Sequence, residues 1–126
     1  KAQTLKFAGA NRPLFFLQNE THEFKEYTPT KRPIGQNLKY KTTEPFSQEQ
    51  FTYEKNDRLY LTSDGFQSQF GGPKDKKIGK KAMLDYIQEL HSTPVMDQSF
   101  WMRNFYNEWK GKNPQVDDVC VLGIEL

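Results

Sequence analysis

The sequence predicts an α+β domain in which short antiparallel strands come first, a helical hairpin follows, and one last strand returns to the sheet. Three observations lead there: apolar runs alternate with turn residues over the first two-thirds, helical spacing runs from residue 76 to 110, and a final apolar run closes the chain.

Thr4 to Ala8 and Leu14 to Gln18 read as strands, Asn19-Glu20 as a turn, and Thr21 to Tyr27 as a strand that alternates His22, Phe24 and Glu26 with Glu23, Lys25 and Tyr27. Pro29, Pro33 and Gly35 punctuate the next stretch. Ser47 to Tyr53 and Arg58 to Thr62 flank Glu54-Lys55-Asn56-Asp57, a set of turn residues that predicts a second hairpin and so a meander of strands. Gly71, Gly72 and Pro73 break the pattern. Beyond them Ile78, Ala82, Leu84, Ile87 and Leu90 form one helical stripe that stops before Pro94. Met102, Phe105, Tyr106 and Trp109 form a second stripe, on a helix from Asp97 to Lys110 closed by Gly111 and Pro114. The two helices are expected to make an αα-hairpin laid on the sheet. Val119 to Ile124 then supplies the last strand, with Cys120 as a small buried apolar residue.

The 126 residues, 14.8 kDa, suit one domain, and a hydrophobic share of 35% with mean hydropathy -0.89 leaves a thin core filled largely by rings. Eighteen basic residues against sixteen acidic ones give a net charge of +2, which argues against a nucleic-acid binder. With Cys120 as the only cysteine, no intrachain disulfide, thiolate metal site or redox pair can form, and a reducing cytoplasmic setting is expected. No run reaches the length of roughly 20 apolar residues that a membrane helix needs. A start at Lys1 without methionine is read as a piece of a longer polypeptide.

Carboxylates sit at two strand ends: Ser63-Asp64-Gly65 closes one apolar run and Asp117-Asp118 opens the last. If those strands are antiparallel neighbours, Asp64 and Asp117 meet at one rim, a setting that suits a hard divalent ion. Each motif alone also fits a plainer role, Ser-Asp-Gly as a turn and Asp117-Asp118 as solvated residues before a strand. Lys74, Lys76, Lys77, Lys80 and Lys81 read as a solvated loop and first helical turn, or as a phosphoprotein docking patch. His22 and His91 lie far apart in sequence, with neither metal-ligand spacing nor a partner nucleophile, and are expected to be exposed or capping.

From Lys6 to Leu126 the series Phe7-Ala8-Gly9-Ala10-Asn11-Arg12-Pro13-Leu14, Pro33-Ile34-Gly35, Asp57 to Phe66 with its Ser63-Asp64-Gly65, Phe70-Gly71-Gly72 and Asp117-Asp118-Val119-Cys120-Val121 resembles the SpoIIE/RsbU-type bacterial serine/threonine phosphatases. These belong to the PPM, or protein phosphatase 2C-like, superfamily. The resemblance implies an antiparallel β-sandwich flanked by antiparallel helix pairs. It also implies two Mn²⁺ or Mg²⁺ ions bridged by a water that attacks phosphoserine or phosphothreonine. Asp64 and Asp117 would be metal ligands, Gly65 would leave room at the metal, and Asp118 would support the site. Lys74, Lys76 and Lys77 are the candidate docking residues for a phosphorylated regulatory protein such as an anti-sigma-factor antagonist.

Departures from the family pattern matter too. Its Gly-Gly-Asp motif and its Thr-Gly-His-Gly-like stretch are missing from these residues, and Cys120 stands where Thr or Ser is usual. Residues 1–126 are therefore expected to be the C-terminal portion of a catalytic domain, inactive alone, prone to self-association, and preceded in the parent by a sensor domain and in some settings a membrane tether. The alternative is a catalytically dead phosphoprotein-binding module.

Overall fold

The computed structural model describes residues 3–35 and 44–126. Among the described residues eight strands form: β1 (Thr4–Phe7), β2 (Leu14–Leu17), β3 (Phe24–Tyr27), β4 (Glu49–Thr52), β5 (Arg58–Thr62), β6 (Phe70–Gly71), β7 (Lys76–Lys77) and β8 (Val121–Glu125). Three helices join them: α1 (Gly65–Ser68), α2 (Gly79–Glu89) and α3 (Val95–Lys110), with a 3₁₀ turn, Leu90–Ser92, after α2. The α+β class and its antiparallel sheets are as expected.

β2 sets the layering. All four of its residues, Leu14, Phe15, Phe16 and Leu17, are buried, the signature of a strand covered on both faces. Side chains alternate along a strand, so Phe15 and Leu17 join Tyr60, Phe66, Met83, Ile87, Met102 and Tyr106 under the helices. Leu14 and Phe16 turn the other way and meet Tyr27, Phe51 and Leu59. The central sheet has the order β3-β2-β5-β8, and β1 and β4 pair as a second sheet over its other face. Phe51 of β4 clamps the two sheets, stacked on Tyr27 at 4.1 Å and edge-on to Phe16 at 5.2 Å.

Only β2 and β3 form the expected hairpin among the larger strands, and its turn spans residues 18–23, wider than Asn19-Glu20 alone. The second hairpin does not form: β4 pairs with β1, whereas β5 pairs with β2 and β8. The turn between β4 and β5 is real, but it lifts the chain from one sheet to the other. Asp57 holds this corner, its buried carboxylate accepting from the Glu54 and Asn19 N–H groups at 2.8 Å each. Turn composition fits both geometries, because in each the chain reverses over four polar residues.

The αα-hairpin is present and antiparallel, since contacts step backwards along α2 as they step forwards along α3. Gln98 donates to the Leu90 carbonyl at 2.9 Å, the Tyr86 hydroxyl donates to the Trp101 carbonyl, and the Tyr86 and Phe105 rings stack at 4.4 Å. Met83, outside the expected stripe, is the most buried residue of α2, and Leu84 is only partly covered.

β8 is less buried than its apolar sequence predicts. Leu122 and Ile124 are 49% and 40% exposed, and Cys120 is exposed rather than buried. Their register partners Leu61 and Leu59 face the β1–β4 layer. That layer is two strands wide, so the outermost strand of the central sheet stands uncovered on this side. No helix among the described residues is long and apolar enough to cross a membrane.

Candidate metal centre

β5 and β8 are antiparallel, with Thr62 opposite Val121, so the chain leaving β5 and the chain entering β8 share one rim. Ser63 stitches the two together. Its N–H donates to the Cys120 carbonyl at 2.9 Å, its hydroxyl donates to the Asp118 carbonyl at 2.8 Å, and the same oxygen accepts the Cys120 N–H at 2.9 Å. Gly65 then lets the start of α1 approach. A Cβ at Gly65 would lie 2.1 Å from the Asp118 carbonyl oxygen and 3.2 Å from that of Asp117, closer than any side chain permits. The room that this glycine provides is room for the 117–118 backbone.

Asp64 meets a cation that the sequence pattern did not assign to the site. Arg12 Nη2 lies 2.8 Å from Asp64 Oδ2, both side chains being partly exposed. Arg12 stands two residues before β2, and Leu14 pairs with Leu61, which puts the start of β2 on the same rim. Hydrogen bonding from Arg12 is the main reason that the Asp64 carboxyl is held below the usual carboxylate range. The close approach of Gly65 to the Asp117 and Asp118 carbonyls sets the residue after Asp64 against the backbone of the second motif, so both motifs share the rim. Asp117 Oδ1 accepts the Asp118 N–H at 2.8 Å. Asp118 thus contributes through its backbone, bonded to Asp117 on one side and to Ser63 on the other.

Two carboxylates on a rigid rim fit one side of a hydrated divalent ion, because Mg²⁺ and Mn²⁺ take oxygen donors and keep several waters. No group of three His, Cys, Asp or Glu side chains with metal-binding geometry occurs among the described residues. The rim offers a pair, and the remaining positions would fall to water or to further donors.

The lysines take another form than expected. Lys76 and Lys77 make β7, hydrogen-bonded to β6, and Lys74 lies in the turn between; only Lys80 and Lys81 belong to the first turn of α2. This small hairpin is fastened to the end of α3, with Trp109 Nε1 donating to the Lys76 carbonyl at 3.0 Å, and to the next loop through Asn113 Nδ2 and Asp75 Oδ1 at 2.7 Å. His22 and His91, far apart in sequence, meet with ring centres 3.9 Å apart and planes tilted by 36°, and His91 Nδ1 caps the Gln88 carbonyl, the capping role expected of it. They lie at the opposite ends of β2 and β5, near Leu17 and Arg58, and take no part in the rim.

Arg12 and Ser63 were inside motifs that the sequence displays, yet nothing in their spacing tied Arg12 to Asp64. That link depends on the β2–β5 register.

Comparison with known proteins agrees with this architecture. The family model described as stage II sporulation protein E (SpoIIE) matches residues 1–126. Among solved structures, the SiaA-PP2C domain of Pseudomonas aeruginosa is similar with a TM-score of 0.84 and 25% identity, covering 99% of this chain and 47% of that one. The chain spans about half the length of that structure. A search of curated proteins gives no match.

Proposed function

Because the chain belongs to the SpoIIE family of PP2C-like phosphatase domains, a hydrolase family, we propose that it forms part of a metal-dependent phosphoprotein phosphatase acting on phosphoserine or phosphothreonine. The observation that supports this most is the antiparallel β5–β8 pair, which brings the segments carrying Asp64 and Asp117 to one rim.

Asp64 and Asp117 would hold Mn²⁺ or Mg²⁺, the ions that PP2C-like phosphatases generally use. Bound there, the ions would lower the pKa of a water and offset charge on the phosphoryl oxygens. The residues of this chain do the rest. Ser63 and Gly65 hold the two carboxylates in register, and Asp118 fixes Asp117 through its N–H. Arg12 neutralises part of the charge that two neighbouring carboxylates accumulate. Lys74, Lys76 and Lys77, exposed on the β6–β7 hairpin, would receive an acidic or phosphorylated protein.

In this reading the chain is the C-terminal portion of a cytoplasmic catalytic domain, and the phosphorylated substrate is a regulatory protein of the anti-sigma-factor antagonist type. The rim alone lacks a third acidic ligand among the described residues, so the isolated chain should turn over little or nothing. The uncovered Leu122 and Ile124 favour self-association along β8; a compact monomer in sedimentation at high micromolar concentration refutes that part.

The test is Mn²⁺-dependent hydrolysis of p-nitrophenyl phosphate by a chain extended upstream by one domain length, with this chain and an Asp64→Ala version of the longer one as controls. Activity in the long chain that Asp64→Ala abolishes sustains the proposal. A folded, Mn²⁺-loaded long chain that is silent on this ester and on a phosphoprotein would favour the alternative, a phosphoprotein-binding module without catalysis.

A further inference from the structure

We infer that Gln69 is a positioning residue for the Asp64–Asp117 pair, a buried hydrogen-bond junction that ties α1, α3 and the loop entering Asp117 into one unit. The inference rests on the metal reading of the rim. Gln69 is 0% exposed, and each polar atom of its side chain is bonded. Nε2 donates to the Pro114 carbonyl at 2.9 Å and to the Phe70 carbonyl at 3.0 Å, and Oε1 accepts the Tyr106 hydroxyl at 2.6 Å.

The bond to Pro114 leads toward the rim. Pro114 stands three residues before Asp117, in a stretch where residues 114–118 form no helix or strand. On the other side, Gln69 caps the end of α1, whose Ser68 N–H bonds back to the Asp64 carbonyl at 2.9 Å. One side chain therefore spans the two segments that carry the carboxylates. The Tyr106 hydroxyl holds the amide in the orientation that aims Nε2 at Pro114. A buried amide deprived of its partners loses more than one bond, because the orphaned carbonyls pay desolvation as well.

The same molecule holds a matched pair far from the rim. Gln98, also buried, accepts the Tyr60 hydroxyl at 2.8 Å and donates to the Leu90 carbonyl at 2.9 Å. It sits on α3 two turns before Tyr106 and secures the helical hairpin. Chemistry and burial are alike in the two junctions; only the destination of the bonds differs. A purely structural role for Gln69 predicts that the two behave alike.

The experiment titrates the full chain with Mn²⁺ and follows paramagnetic broadening of the amide signals of residues 63–65 and 117–120, with urea unfolding in parallel. Gln69→Leu is expected to weaken Mn²⁺ binding roughly tenfold or more, the scale on which groups that orient metal ligands act. Gln98→Leu is expected to lose stability but keep the wild-type affinity. Wild-type affinity in folded Gln69→Leu, or equal weakening in Gln98→Leu, overturns the inference. If Gln69→Leu does not fold, Tyr106→Phe decides, since it removes only the hydroxyl: weakened binding sustains the inference and unchanged binding overturns it. Absence of Mn²⁺ broadening in the wild type is a separate result, which removes the metal reading and this inference with it.

Discussion

Replacing Gly65 by alanine tests the geometry of the rim most directly. The added Cβ would sit 2.1 Å from the Asp118 carbonyl oxygen and 2.7 Å from its carbon, where ordinary contact begins at 3.4 Å. The neighbours are backbone atoms held by Ser63, not the free end of a side chain, so α1 and the 117–118 segment must part by more than an ångström. Overpacking of this kind costs about 1–3 kcal/mol, and loss of the Ser63–Asp118 hydrogen bond adds about 0.5–1.5 kcal/mol, giving about 1.5–4.5 kcal/mol. Gly123→Ala is the control. There the nearest atoms are side-chain carbons of Tyr60 and Val95 at 3.1 and 3.2 Å, which can shift, so the change should stay within about 1 kcal/mol. Urea unfolding followed by tryptophan fluorescence measures both. Equal stabilities for the two variants, with Mn²⁺ broadening intact in Gly65→Ala, would refute the close approach and the role given to it.

Arg12→Ala should raise Mn²⁺ affinity by a few-fold, because it removes a cation that competes for Asp64, and an exposed ion pair is worth about 0.2–1 kcal/mol; weaker binding in this variant would show that Arg12 assists the ion instead. Phe51→Ala should cost about 3–5 kcal/mol in unfolding experiments, because it empties the ring cluster between the sheets. A cost under about 1 kcal/mol would mean that the β1–β4 layer is not packed as described. Burial raises the pKa of Tyr60, Tyr86 and Tyr106, against the pull of the Gln98 bond at Tyr60. Their folded values exceed the unfolded one near ~10, so the stability they confer is complete below that pH and is lost as pH climbs through the folded values. Tyrosinate absorbance should show a late-ionising component that accompanies alkaline unfolding and shrinks when Tyr60, Tyr86 or Tyr106 is replaced by phenylalanine; a late component unchanged by all three replacements would contradict this.

Much of the molecule is legible in one dimension because its signals are local. Helical spacing located α3 almost to its ends, with Val95–Lys110 found where Asp97 to Lys110 was expected. The apolar run at Arg58–Thr62 and the carboxylates after it marked one half of the rim, and the Asp117-Asp118 pair marked the other. The β4–β5 hairpin failed for an equally local reason. Four turn residues specify that the chain reverses, and the choice between returning in the same sheet and crossing to another is made by Phe51, Tyr27 and Phe16 meeting across the core. The short strands β6 and β7 were invisible because two residues each leave no period to read.

By itself the sequence determined the α+β class, the apolar runs and helical stripes, and the carboxylates Asp64 and Asp117 as the pair to watch. Tertiary structure alone decided that Arg12 reaches Asp64, that Ser63 and Gly65 lock the two segments, that Gln69 joins both to α3, and that β8 keeps an uncovered face. The physical reason is that periodicity and turn chemistry act over a few residues. Register between strands whose paired residues lie 41 to 67 positions apart is set by which side chains fill the space between layers, and those contacts exist only after the layers have met.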